Sequence, residues 1–180
     1  MKVISTNIGE KQTIQYKGKS YHTGIVKKPV VEGIVLGKED VVGDKVIDRK
    51  HHGGIQQAAY AFGLNHYAYF EAKYPDLDWH NGMFGENITV DEMDERKIHQ
   101  GDQFSVGSAV VEVTIPRYPC ATLGARFQDM SVVKAFWATD HPGVYFKIIK
   151  TGRVQSGDTF TRIKHCPDNP TISEQFDLRK

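Results

Sequence analysis

Val113-Thr-Ile-Pro-Arg-Tyr-Pro-Cys-Ala-Thr-Leu-Gly124 is an alternating apolar run cut short by a proline, with Arg117 and Cys120 on either side of a second proline. Proline fixes φ and lacks the N–H that a sheet ladder needs, so Pro116 ends the strand and Pro119 stiffens the chain leading into Cys120. The stretch therefore predicts a strand that delivers one thiol to a rigid loop. A neighbouring cation favours thiolate over thiol, and thiolate is the form that ligates soft metals or attacks sulfur and carbonyl centres. Cys120 is expected in a shaped, electropositive pocket. The plain alternative is a cysteine buried as a small hydrophobe.

Working outward, the strand signals dominate. Gln12-Thr-Ile-Gln-Tyr16 faces Ser20-Tyr-His-Thr23 across Lys17-Gly18-Lys19, which predicts a hairpin. Val30 to Leu36 reads as a strand with Gly33 at a bulge or bend, and Val41 to Ile47 extends the sheet. Glu86 to Val90, Gln103 to Val106 and Ala109 to Ile115 come next, and Val144 to Ile149 and Thr159 to Ile163 close the series. Three Gly-Asp pairs, at Gly43-Asp44, Gly101-Asp102 and Gly157-Asp158, each stand just before a β-prone segment, as turn residues should. Helical spacing appears at Leu64 to Tyr74, Leu123 to Phe127 and Ser131 to Ala138, with Ser131 as an N-cap. The pattern predicts one mainly β domain over residues 1–180, largely antiparallel, with short helices. Its core is expected over about 20–164, with 165–180 as a surface tail.

Composition narrows the function classes. With 23 basic and 22 acidic side chains the formal net charge is +1, so no global field favours nucleic acid or an anionic membrane, and an anion site must be local. No apolar run approaches bilayer length and no basic region precedes a long apolar stretch, so a cytoplasmic protein is the expectation. Two cysteines, Cys120 and Cys166, do not make a disulfide framework, and neither belongs to a Cys-x-x-Cys pair. Cys166, beside Pro167 near the end, is expected to have no role.

Two further stretches carry chemistry. In Asp48-Arg-Lys-His-His-Gly-Gly54 the glycines let backbone amides approach an anion while Arg49, Lys50 and the histidines add charge, so a phosphate-bearing guest is natural there. A solvated basic turn is the other reading, and no Gly-Lys-Ser/Thr closes a P-loop. In Gly82-Met-Phe-Gly-Glu-Asn87, Asn87 offers donors and acceptors to a heterocycle, or else the polar residues bond their own backbone. Arg117 can grip an oxyanion bidentately, while Arg126 is expected to face solvent. A triad of Cys120, a histidine and Asp48 lacks any cysteine-hydrolase signature. A zinc site of His51, His52 and Cys120 needs adjacent histidines to converge.

In this order, Asp48 to Gly54, Ala59-Tyr-Ala, Phe84-Gly-Glu-Asn-Ile-Thr-Val90, Gly101-Asp102 and Pro116-Arg-Tyr-Pro-Cys120 resemble the MOSC domain, named for the C-terminal domain of molybdenum cofactor sulfurase. Thr23-Gly-Ile-Val-Lys27 is similar to its stand-alone bacterial branch. The resemblance implies a β-barrel and a molybdenum-dependent oxidoreductase. Cys120 would be the catalytic residue and the molybdenum ligand. Arg117, Arg49, His52, Gly53, Gly54 and Asn87 would contact the molybdenum cofactor (molybdopterin). It implies reduction of N-hydroxylated small molecules with electrons from a separate electron-transfer protein, because no fused donor domain or helical extension comes after the last strand. The alternative within the family is a sulfur carrier holding a persulfide on Cys120, used in handling molybdenum cofactor or metal-sulfur clusters without turnover. The chain departs from the family pattern at Ile55-Gln56-Gln57, where relatives often have Pro-Asp and a basic residue.

Overall fold

The strongest alternation in the sequence becomes an interior strand of the main sheet. In the computed structural model, which describes residues 1–45 and 53–180, Ala109, Val111 and Val113 are buried in the core while Val110 and Glu112 between them stand half-buried. In chain order the strands are β1 (Val3–Gly9), β2 (Gln12–Tyr16), β3 (Lys19–Thr23), β4 (Lys27–Pro29), β5 (Ile34–Leu36) and β6 (Ala59–Gly63), then β7 (Ile88–Val90), β8 (Gln103–Val106), β9 (Ala109–Pro116), β10 (Val144–Lys150), β11 (Gly152–Val154) and β12 (Thr161–Lys164). The helices are α1 (Tyr67–Lys73), α2 (Ala121–Arg126), α3 (Ser131–Trp137) and α4 (Ile172–Asp177). No helix among the described residues is long and apolar enough to cross a membrane.

Eight strands form one sheet in the order β12-β8-β9-β10-β6-β7-β1-β4, and β11–β5 and β2–β3 make two separate ladders. Among the described residues every strand pairing is antiparallel except β6 with β7. The barrel expectation is corrected here: no closed barrel is found among the described residues. The sheet curls until the lead-in to β12 meets the start of β1, through Val3 N to Asp158 O at 2.7 Å and Phe160 N to Met1 O at 2.9 Å. That contact amounts to an isolated bridge, Lys2 with Thr159. The end strands are too short to continue it: β4 stops at Pro29, and all four residues of β12 are exposed.

The turns behave as the sequence implies. Lys17 and Gly18 both take positive φ, 45° and 77°, the backbone a two-residue hairpin turn requires, and β2 pairs with β3 in register from Gln12–Thr23 to Tyr16–Lys19. Each Gly-Asp pair is a turn with its glycine near φ 90°; Asp102 and Asp158 accept from backbone N–H groups three residues before them, while Asp44 accepts from Gly9 N of β1. The Ser131 expectation fails in detail. Ser131 begins α3, and the cap lies just ahead of it, where Asp129 Oδ1 accepts from Ser131 N at 2.8 Å.

Two clusters share the core. Aliphatic side chains from β1 and β5 to β10 fill the inside of the sheet. On the other face Tyr60, Phe62, Tyr67, Phe70, Phe84, Phe127, Phe136 and Phe176 pack edge-on and tilted beneath α1, α2 and α3. Phe176 corrects the tail. Residues 172–177 are a helix whose Ile172 and Phe176 are fully buried, at i and i+4 on one face. Burying such a side chain contributes about 1.5–3 kcal/mol, enough to hold the segment against fraying. A capping box starts it: Thr171 Oγ1 accepts from Glu174 N at 3.1 Å and Glu174 Oε2 accepts from Thr171 N at 2.8 Å. Thr171→Ala should lower Tm by about 2–4 °C in a thermal melt; an unchanged Tm would show that packing alone holds α4.

Candidate functional site

Pro116 ends β9 opposite Val144 of β10, and the chain then turns through Arg117, Tyr118 and Pro119 to Cys120, which stands just before α2. Cys120 is half-buried rather than sealed, and it lines a cavity of about 380 Å3. That volume lies in the range of small-molecule sites, about 300–1,000 Å3. The β2–β3 hairpin side supplies Ser20 to Ile25, β6 supplies Tyr60, β10 supplies Tyr145, and the 82–87 loop supplies Phe84, Gly85 and Asn87.

Arg117 lines the same cavity although only 5% of it is exposed. Its guanidinium carbon lies 5.3 Å from the Phe136 ring centre and 5.7 Å from that of Tyr60. Its Nη1 is buried without a hydrogen-bond partner among the described residues. An orphaned donor on a buried cation is costly, and such a group is kept where an anion completes it. Burial pushes the Tyr145 and Tyr60 phenols above their ordinary range, while the Arg117 charge pulls both back. Cys120 acts on Tyr145 in the opposite sense to Arg117, which places sulfur, phenol and guanidinium within one electrostatic neighbourhood.

Lys27, Lys45 and Asp44 complete the charged wall. Burial pulls the Lys27 ammonium below its usual range, and its ion pair with Asp44 offsets part of that. Asp44 also accepts from Asn87 Nδ2 at 2.9 Å and from Gly9 N at 2.8 Å. With Asp44 committed to Lys27, the remaining charges of the described wall, Arg117 and Lys45, are positive, which suits an anionic guest.

The 82–87 loop is built around Glu86. This fully buried carboxylate accepts from Gly82 N at 2.7 Å, Phe84 N at 3.1 Å, Thr89 Oγ1 at 2.8 Å and the Tyr67 hydroxyl. Burial pushes its carboxyl above the ordinary range, and these donors resist the rise. Gly82 and Gly85 take φ of 89° and 82°, and a Cβ on either would come within 2.8 Å of Lys27 O or 2.7 Å of Ile25. No other residue fits at these two positions.

Of the residues picked from sequence, Cys120, Arg117, Gly53 and Asn87 converge on the cavity. Gly53 N donates to Gln57 Oε1 at 3.3 Å, and Gly54, at φ 80°, is near but not in the wall. The Asn87 side chain is engaged internally, accepting from Tyr60 N at 3.3 Å as well as donating to Asp44, so it shapes the wall more than it offers free groups. Arg49 and His52, with Val46 to His51, lie outside the described residues. Arg126 does not face solvent: its Nη2 contacts His80 Nε2 at 2.9 Å and Met83 Sδ at 3.3 Å. Cys166 does not line the cavity; its Sγ is 3.3 Å from Gly101 O. Sequence reasoning misses Lys27 and Asp44 as cavity residues. The only signal for them is a lysine after a short apolar run and an aspartate in one of the Gly-Asp turns.

The MOSC domain pattern matches residues 48–161. The Uncharacterized protein YflK of Bacillus subtilis is 36% identical over 155 residues, 86% of this chain and 70% of that protein. A protein named Reductase from Gibberella moniliformis is 31% identical over 116 residues, 63% of this chain but 21% of its own length. The crystal structure of YiiM from Geobacillus stearothermophilus superposes with a TM-score of 0.80 at 25% identity, covering 99% of this chain and 83% of that one. With one family pattern running from the glycine turn through the cysteine loop to the last strand, and a relative matched over most of both lengths, the chain belongs to the MOSC domain family.

Proposed function

We propose that this chain binds molybdenum cofactor in the Cys120 cavity and supports reduction of N-hydroxylated compounds. The observation that carries the reading is the pairing, in one cavity wall, of a half-buried soft sulfur with a buried guanidinium nitrogen that lacks a partner among the described residues. A cofactor joining a thiophilic metal to a phosphate needs these two donor types. Cys120 would ligate molybdenum through Sγ. Arg117, with Lys45 and the Gly53 end of the glycine turn, would meet the phosphate. When bound, the cofactor supplies the two-electron redox chemistry. Tyr60, Tyr145 and Phe84 shape an apolar flank that limits water beside the sulfur. His22, whose Nδ1 is 2.9 Å from Thr13 Oγ1, stands in the cavity wall.

The reaction balances as R–NHOH + 2 e− + 2 H+ giving R–NH2 + H2O: the N–O bond breaks and a separate electron-transfer protein is the reductant. The distant relative named a reductase lends support to this reaction class. The test uses protein purified from a host that makes molybdenum cofactor, a reduced dye as donor and a hydroxylaminopurine as substrate. Amine formation matching electrons consumed is expected. Cyanide-releasable sulfur on Cys120 in molybdenum-free, inactive protein would replace this reading with the persulfide carrier.

A further inference from the structure

Away from the cysteine cavity, Glu95 is a fully buried carboxylate beside two imidazoles. It opens the 3-10 turn Glu95–Lys97, and its Oε1 accepts from Gly143 N at 3.0 Å. Its Oε2 lies 3.2 Å from His66 Nε2 and 3.3 Å from His141 Nδ1. Those are the spacings two ligands adopt on a tetrahedral zinc, where bonds of about 2.0–2.1 Å give edges of about 3.3 Å. The three donor atoms all fall within 4.8 Å of one another.

Hydrogen bonding accounts for only part of the arrangement: His141 Nδ1 meets Glu95 Oε2 at 3.3 Å, but His66 Nε2 is left out. The two rings stack at 3.9 Å with planes 9° apart, and in that stack only His141 Nδ1 makes a hydrogen-bonding contact with Oε2. His66, 6% exposed, consequently has a buried Nε2 with no hydrogen-bond partner among the described residues. A second cluster, His99, Asp102 and His165, is less suited, because the Arg162 guanidinium already stands 3.5 Å from the Asp102 carboxylate.

We propose that His66, Glu95 and His141 bind a divalent cation of the zinc class, with a remaining coordination position open to water. The His141 side chain, 39% exposed, turns out of the stack to bring Nδ1 to the ion, while buried His66 and Glu95 stay in place. The ion ties the 3-10 turn at Glu95 to the loop around Pro142. Tyr60, whose ring lines the cysteine cavity, donates its hydroxyl to Pro142 O at 2.9 Å. The site thereby steadies the cavity wall from behind.

The test strips the full-length protein with a chelator and titrates it with Zn2+ alone. One equivalent should survive desalting, and Tm should rise by about 5–10 °C at a hundredfold excess over Kd. His141→Ala should lose both effects, and His165→Ala should keep both. No retained zinc in the parent protein, or zinc retained by His141→Ala, overturns the site. Should His141→Ala not fold, ring-proton resonances of the parent protein decide: His66 and His141 must move with the first equivalent, and movement confined to other histidines refutes the assignment.

Discussion

Arg117→Met should abolish binding of the proposed molybdenum cofactor without destabilising the fold. Losing one member of a buried charged contact costs about 2–5 kcal/mol of binding, an affinity loss of about 30- to several thousand-fold. The guanidinium here is buried between Tyr60 and Phe136 with Nη1 unpartnered among the described residues. Without its anion it is a desolvated charge with incomplete compensation, and an apolar side chain of similar length is neutral or stabilising at such a place. Tm of the cofactor-free variant should therefore equal or exceed that of the cofactor-free parent. Arg117→Lys should recover little, since an ammonium cannot present the planar fork. A fall in Tm with cofactor retained would mean that Arg117 braces the aromatic layer and grips nothing.

Glu86→Ala should be the most damaging single change to the fold, at about 3–5 kcal/mol. Four donors converge on that carboxylate: the amides of Gly82 and Phe84 and the hydroxyls of Tyr67 and Thr89. Alanine leaves all of them buried and unmatched. Because Phe84 and Gly85 form part of the cavity wall, binding of the proposed cofactor should fall in step with the urea midpoint. Glu86→Gln should lose less, keeping one acceptor oxygen while turning N–H groups toward donors. A change below about 1 kcal/mol for Glu86→Ala would show that water satisfies the loop, and that the carboxylate does not organise it.

Chemistry that acts along the chain is legible in the sequence. Lys17-Gly18-Lys19 marks a hairpin turn, Pro116 has to end a strand, and Leu64 to Tyr74 carries helical spacing; each is local, and each is realised. Features that depend on distant partners are not legible. Nothing near Lys27 announces that its ammonium is buried against Asp44, or that Asn87 Nδ2 will be spent on the same carboxylate. The tail is misjudged from sequence although its signal is present. Thr171-Ile-Ser-Glu174 is a capping-box pattern with apolar residues at 172 and 176, but Pro167 and Pro170 and the thin apolar content point toward a surface segment. The barrel expectation rests on family likeness, and the pairing of real edges decides closure: β4 and β12 are short, and only an isolated bridge spans the gap among the described residues. At the site, the proline-flanked Arg117 and Cys120 can be picked out because stiff backbone and rare residue types coincide there. The burial of Arg117 between two aromatic rings cannot.

The most direct measurement is molybdenum per chain, by elemental analysis, in protein purified from a cofactor-competent host. The account predicts close to one molybdenum in the parent and in Cys166→Ser, and almost none in Cys120→Ser, since serine offers a hard oxygen where a soft sulfur ligand is required. Equal molybdenum in Cys120→Ser and the parent, or none in either, would contradict it.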